Sequence, residues 1–241
     1  MPQESSNLIQ VEQKNPFETS KVKRKLNTKD CRILFLYPNE RGMSTIPPSI
    51  TSLSQILKDE GHQTALFDTT FYKFDDEISI EDSEVTKSKS LENRPVLERD
   101  DDDIHFKKTT RSAVLDFEAS IENFKPDFIA VSCTETTFLR AIKLIDQTRH
   151  KNIKNLFGGV FPTFAPDLVM NYKDVDMICV GEGENAIIDL ANSISNNEDY
   201  SNVTNLWIRQ NDGKITKNSI SRPVDINEIP VINDIALFGE K

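Results

Sequence analysis

Asn155-Leu156-Phe157-Gly158-Gly159-Val160-Phe161-Pro162-Thr163 runs from an apolar stretch straight into a glycine pair. Met177-Ile178-Cys179-Val180-Gly181-Glu182-Gly183-Glu184 repeats the plan further along the chain. An apolar run that stops at glycine is how a buried strand hands over to a helix. Glycine there also lets the backbone approach something flat or bulky, at the strand ends where α/β sheets hold their ligands. A third end, Ser132-Cys133-Thr134-Glu135, follows the apolar run Phe128-Ile129-Ala130-Val131 and is polar and small. One glycine turn of this kind is an ordinary tight turn. Three such ends on successive units point to a binding site.

The flanking chain has the same grammar. Arg32 to Tyr37 is a continuous apolar run, as expected of a strand covered on both faces. Pro48 suits a first helical turn, Ile50, Leu53, Ile56 and Leu57 recur at helical spacing, and Gly61 stops the pattern. Ala65-Leu66-Phe67 predicts a second strand ending at Asp68. Val114, Phe117, Ile121 and Phe124 mark a helix face before the strand at Phe128, and Leu139, Ile142 and Ile145 mark the next helix. Pro166 to Met170 predicts a short helix, and Ala186, Ile187, Leu190 and Ile194 line another after Val180. Strands alternating with helices specify a parallel sheet with right-handed crossovers. The fold class is therefore α/β: a doubly wound five-stranded parallel sheet, flavodoxin-like (Rossmann-like), with strand order 2-1-3-4-5. Asn205 to Arg209 and Lys214 to Thr216 flank Asn211-Asp212-Gly213, which predicts a C-terminal β-hairpin extension.

Three stretches break the alternation. Residues 1–29 are polar and aperiodic and read as a disordered leader. Residues 73–110 carry twelve acids against seven bases, half of the chain's net charge of -10. The run Glu98-Arg99-Asp100-Asp101-Asp102-Asp103 lacks the glycine and spacing of a calcium loop, so this stretch reads as an acidic, flexible, solvated insertion. Arg222 to Lys241, punctuated by Pro223 and Pro230, reads as a linker with no core of its own. The expected organisation is a domain over 30–200, then a hairpin and linker over 201–241 that expects something beyond it.

Composition excludes other classes. At 241 residues one substantial core is affordable. The net charge of -10 makes nucleic acid and anionic membrane poor partners. Cys31, Cys133 and Cys179 stand far apart, which fits a reducing, cytoplasmic setting and neither a disulfide framework nor a zinc or iron–sulfur site. With no span-length apolar run and no signal pattern, the chain reads as neither a membrane nor a secreted protein.

In a doubly wound sheet all strand C-termini open on one edge. Here the five loops begin at Pro38, Asp68, Ser132, Gly158 and Gly181, and three are small or glycine-rich. A flat ring fits over such an edge, with a slim tail between strands and helices. Hydroxyls of Ser132 or Thr134 and amides of the glycine loops would bond to it, and Glu182 or Glu184 would accept from ligand N–H groups. Glu184 serves equally well as a favourable charge at a helix start.

The run Ile33 to Ser44, followed by Pro47-Pro48-Ser49-Ile50, resembles the opening of the cobalamin-binding domain of B12-dependent radical SAM enzymes. Ser132 to Glu135, Gly158 to Thr163 and Val180 to Glu184 resemble that family's later cobalamin loops. Asn205 to Gly213 and Ile229-Pro230 resemble the segment leading into its catalytic barrel. The resemblance implies cobalamin bound by Asn39, Glu40, Arg41, Gly42, Ser44 and Thr45 from the first loop, Ser132, Thr134 and Glu135 from the third, Gly158, Gly159, Phe161, Pro162 and Thr163 from the fourth, and Gly181, Glu182, Gly183 and Glu184 from the fifth. It also implies a 4Fe-4S cluster and S-adenosylmethionine in a catalytic half, in cis or on a partner chain, and methyl transfer as the chemistry. That half carries C-x-x-x-C-x-x-C, which this sequence lacks, so no catalytic residue is expected in this chain.

Other cobalamin domains, such as that of methionine synthase, carry D-x-H-x-x-G after the first strand, whose histidine ligates cobalt. The matching residues Pro38 to Met43 contain no histidine. His62 and His150 fall at the opposite edge and His105 in the insertion, so the expectation is base-off cobalamin with no protein metal ligand. A stand-alone carrier or sensor of cobalamin or another flat ligand is the alternative. A receiver domain needs an aspartate where Ser132 ends the third strand, and Pro38 to Thr45 is a poor phosphate loop for a flavodoxin.

Overall fold

The computed structural model describes residues 30–39, 46–74, 109–229 and 234–238. The leader and nearly all of the acidic insertion lie outside the described residues. Strands β1 (Arg32–Tyr37), β2 (Gln63–Asp68), β3 (Phe128–Ser132), β4 (Lys154–Gly158) and β5 (Met177–Cys179) lie parallel in the order β2-β1-β3-β4-β5. That is the expected flavodoxin-like order. The strand count differs from the expected five. The hairpin strands β6 (Leu206–Arg209) and β7 (Ile215–Lys217) join the same sheet, β6 antiparallel to β5 and β7 antiparallel to β6, giving seven strands. Their pairing covers the open hydrogen-bonding edge of β5 and makes the short β7 the edge on that side, opposite β2.

Helices pack on both faces. On one side α1 (Pro48–Asp59) and α6 (Glu184–Asn196) bury Ile50, Leu57, Ile187 and Leu190 against Ile33 and Phe35 of β1 and their neighbours. On the other side α2 (Ala113–Phe124) and α3 (Glu135–Gln147) pack with two short helices, α4 (Val160–Phe164) and α5 (Pro166–Met170), over Leu34, Val131, Phe157 and Ile178. Alternate residues of β1 thus feed opposite cores, which is why the strand reads as apolar throughout. Phe138 sits at the centre of the second core, edge-on to Phe157, Phe161 and Tyr172 at centroid distances of 5.6, 5.1 and 4.9 Å. The buried stripe of α3 is Thr137, Phe138, Ala141, Leu144 and Ile145, whereas Leu139 is 61% exposed. Leu139 was expected in the core. Phe138 wins the inward position because its ring fills the gap between β4 and α4.

Local chemistry fixes the element ends. Ser112 caps α2 by accepting from Leu115 N–H, and Thr134 and Thr137 form a reciprocal capping box at the start of α3. Gly61 ends α1 in the left-handed region at φ 86°. Strand starts are pinned by side chains: Arg32 N–H donates to Asp127 at 2.7 Å, and Asn155 and Asp176 exchange backbone and side-chain bonds at 3.0–3.1 Å. Thr109 N–H donates to Phe71 O at 2.8 Å, a parallel bridge joins Tyr72 to Thr109, and Tyr72 Oη donates to Asp116 at 2.8 Å. The two ends of the insertion therefore meet in a short stem beside β2.

The tail is held to the domain and is not a free linker. Val224 is buried with Ile56 of α1 and Ile188 of α6. Asp234 is buried and accepts from Lys58 Nζ at 2.7 Å and from Ser54 Oγ, while Phe238 lies edge-on to Tyr37 at 6.4 Å. Among the described residues no helix is long and apolar enough to cross a membrane.

His62 and His150 fall at the edge opposite the strand C-termini, as expected. His150 is exposed and hydrogen-bonded to Glu118 at 2.9 Å. His62 is 4% exposed and accepts from Cys31 N–H through Nδ1 at 3.1 Å. Burial holds its imidazole below the ordinary range, opposed by the Asn192 side chain and the charges of Glu60 and Asp30. The unfolded chain therefore takes up this proton first, and stability falls as the pH drops below about 6.5. Urea midpoints measured at about pH 7.5 and pH 5 are expected to separate less in His62→Asn, which keeps an acceptor without the titration, than in the wild type. Equal separations would show that His62 contributes nothing to acid sensitivity.

Candidate functional site

The C-terminal ends of β3, β4 and β5 meet along one rim. Ser132 pairs with Gly158 in the sheet, and Cys133 N–H continues the ladder to Gly158 O at 3.1 Å. The chain then turns so tightly at Gly159 (φ 103°) that a Cβ placed there would stand 2.6 Å from the Cys133 carbonyl oxygen. Gly159 is thus required by the approach of the β3 backbone. Thr163, one turn into α4, bridges the two glycine loops: its Oγ1 donates to Gly159 O at 2.9 Å and accepts from Gly181 N–H at 3.2 Å. Gly181 is also left-handed, at φ 90°, with Ile220 Cγ2 3.6 Å from where its Cβ would be. Gly183 has an ordinary φ, and a Cβ there would touch only Leu53 of α1, at 3.7 Å, and Cys179 Sγ, at 4.0 Å.

The predicted residues divide into several environments. Ser132, Thr134, Gly158, Gly159, Thr163, Gly181, Glu182, Gly183 and Glu184 stand along this rim. Thr134 is the N-cap of α3, with its hydroxyl 3.0 Å from that of Thr136, and Glu135 is exposed in the first turn. Phe161 and Pro162 turn inward instead: Phe161 packs on Phe138 and Pro162 is buried. Asn39 is 3% exposed and faces the β2 end, donating from Nδ2 to Thr70 Oγ1 at 2.9 Å. Its carbonyl accepts from Thr69 Oγ1 at 2.9 Å and from Arg140 at 2.8 Å. Glu40, Arg41, Gly42, Ser44 and Thr45 lie outside the described residues.

Sequence reasoning missed several contributors. Arg140 reaches from α3 to the first loop and also lies over the Phe74 ring, 4.5 Å from its centroid. Thr69 and Thr70 are buried and tie β2 to β1, with Asp68 accepting from Thr70 N–H at 2.9 Å. The polar run Asp68-Thr69-Thr70 is a sequence signal for this cluster, whereas Arg140 carries none, since its partner lies across the sheet.

The rim's titratable groups have readable states. Burial pushes the Cys133 and Cys179 thiols up to about 12, so neither is a thiolate near neutrality. Burial raises the Glu184 carboxyl, its own backbone N–H lowers it, the Glu182 charge raises it, and Gly183 N–H lowers it again. Among the described residues Glu184 Oε2 is buried without a hydrogen-bond partner. Along the described part of the rim the polar groups are hydroxyls, backbone groups and the Glu184 carboxyl, and neither thiol is ionised near neutrality. Among the described residues no cluster of three or more His, Cys, Asp or Glu is placed to hold a metal ion.

Residues 96–191, which include β3, β4, β5 and their loops, match the family model of the B12 binding domain. The fold is shared with cobalamin-dependent radical enzymes. The radical S-adenosylmethionine methyltransferase TsrM from Kitasatospora setae, with tryptophan substrate and a SAM analogue bound, aligns over 78% of this chain at 16% identity with a TM-score of 0.53. TsrM with cobalamin and a [4Fe-4S] cluster bound aligns over 76% at 17% identity and 0.52. The cobalamin-dependent S-adenosylmethionine radical enzyme OxsB, with aqua-cobalamin and S-adenosylmethionine bound, aligns over 83% at 14% identity and 0.52. This chain spans 30% of the length of TsrM and 24% of that of OxsB. No curated protein sequence matches it.

Two substitutions separate the roles of the glycines. Gly159→Ala is expected to cost roughly 2 kcal/mol or more, from the left-handed backbone and the contact with Cys133, whereas Gly183→Ala is nearly neutral in thermal denaturation. Glu184 binds its proton more tightly in the folded chain than in the unfolded one. The stability this adds at acid pH is lost as the pH rises through the folded value. Glu184→Gln is therefore expected to melt higher than the wild type at about pH 7.5, the gap closing near pH 4. Calorimetry at both pH values checks the sign.

Proposed function

We propose that this chain is the cobalamin-binding module of a B12-dependent radical SAM, methyltransferase-like enzyme, and that it holds the cofactor base-off with no protein histidine at cobalt. The observation that carries the reading is the convergence of three small strand ends on one rim, within the segment that matches the B12 binding domain. The rim fits an amide-rich ring. Glu184 Oε2 is a buried acceptor without a donor, and the Gly183 side of the notch against Leu53 has room that Gly159 lacks.

Ser132 and Thr134 offer hydroxyls at the end of β3, and the loops Gly158–Thr163 and Gly181–Glu184 offer backbone amides and the Glu184 carboxylate. Asn39 follows β1 and so belongs to the same edge. When bound, cobalamin supplies an organometallic centre able to carry a methyl group. The protein's share is to bind and orient it and to withhold an imidazole. His62 and His150 stand at the far edge, which supports the absence of a protein histidine at cobalt. A 4Fe-4S cluster, S-adenosylmethionine and the reaction itself belong to a catalytic half, in cis or on a partner chain, and the setting is the cytoplasm.

A stand-alone carrier of cobalamin or another flat ligand is the second reading. It is favoured by one observation: Val224 and Asp234 fasten the tail onto α1 and α6.

After incubation with hydroxocobalamin and desalting, the protein is expected to retain the pigment near stoichiometric amounts, and Gly183→Trp to lose it with little change in circular dichroism. Electron paramagnetic resonance of the Co(II) form is expected to lack nitrogen superhyperfine splitting; its presence would overturn the base-off assignment. A colourless protein counts against cobalamin, and retention of a flavin under the same treatment turns the reading towards the flat-ligand carrier.

A further inference from the structure

The loop after β5 is built as much from the chain that follows the sheet as from its own residues. Asn205 is 2% exposed and sits in the left-handed region at φ 70°. Its backbone N–H donates to Ser219 O at 2.9 Å, and its carbonyl accepts from Val180 N–H at 2.9 Å. The side-chain amide works in both directions. Nδ2 donates to Glu182 O at 2.7 Å and to Ser221 Oγ at 3.0 Å, and Oδ1 accepts from Ser221 N–H at 2.6 Å. Glu182 completes the join, its carboxylate accepting from Val224 N–H at 2.5 Å. Ile220 lies 3.6 Å from the Cβ position of Gly181, and Val224 is buried against Ile56 and Ile188.

Asn205 and Glu182 thus spend their polar groups on the joint between the rim and the chain that leaves the sheet. The side chain of Glu182 is turned away from a rim ligand. We propose that Asn205 and Glu182 form a latch that couples occupancy of the rim to the placement of residues 219–224. Asn205 is a positioning residue: it holds the Gly181–Glu184 loop through Glu182 O and the departing chain through Ser221. A ligand that orders the loop therefore orders that chain as well, and loosening the chain frees the loop. The inference rests on the cobalamin reading of the rim and adds to it a route by which the following segment senses the ligand.

The test is hydrogen–deuterium exchange of residues 219–225 with and without hydroxocobalamin, together with pigment release measured after dilution. In the wild type the pigment is expected to slow exchange there by about tenfold, the equivalent of one well-made buried hydrogen bond. Asn205→Gly keeps the left-handed backbone without strain and removes only the amide. It is expected to lose the ligand response and to release pigment about tenfold faster. Phe117→Leu, in the core of the opposite face, serves as a variant of lowered stability in which the response persists. A pigment-retaining wild type with no change in 219–225, or an Asn205→Gly variant with the full response, overturns the latch alone. A wild type that retains no pigment overturns the cobalamin reading and the latch with it.

Discussion

The approach of the β3 and β4 strand ends governs the rim. The ladder runs one bond past the sheet, from Cys133 N–H to Gly158 O, so the chain after β4 must turn with its backbone against the Cys133 carbonyl. Only a residue without Cβ survives there. That turn starts α4, which puts Thr163 where its hydroxyl joins the Gly159 and Gly181 loops, and sends Phe161 inward onto Phe138. The rim backbone and the aromatic core are thus consequences of one steric condition. The two glycines of the pair differ accordingly: Gly158 has only Val131 O near its Cβ position, at 3.9 Å, and is not crowded.

Among the described residues, polar groups around the rim are largely committed to the protein, and Glu184 Oε2 is an exception. Asn39, Thr69, Thr70 and Asp68 satisfy one another at the ends of β1 and β2, and Arg140 closes that group from α3. Burying a carboxylate oxygen without a donor, as at Glu184, costs free energy that the bare fold does not recover. Burial keeps the three cysteine thiols protonated, and those of Cys133 and Cys179 donate to Gly158 O at 3.9 Å and Glu182 O at 3.6 Å.

The parallel core was readable from the chain because its determinants are local. A strand buried on both faces is apolar throughout, as β1 is, and the stops at Gly61, Ser132 and Gly181 stand where the elements end. Where inference failed, the determinant was distant in sequence. Leu139 and Phe138 both suit a helical stripe, and only the pocket between β4 and α4 chooses between them. Arg140 meets Asn39 across 101 residues and Asn205 meets Glu182 across 23, with no periodicity to announce either. The hairpin was visible in Asn211-Asp212-Gly213, but its docking on β5 depends on an edge that exists only once the sheet has formed.

The stem beside β2 separates two design problems. Because Phe71, Tyr72 and Thr109 are already in register, the chain between them closes a loop whose ends are fixed by the core. Closure entropy grows only as the logarithm of length, so lengthening or shortening that stretch by a factor of two changes the folding free energy by about 0.6 kcal/mol. Evolution can therefore vary the acidic stretch in size and charge almost independently of the parallel core.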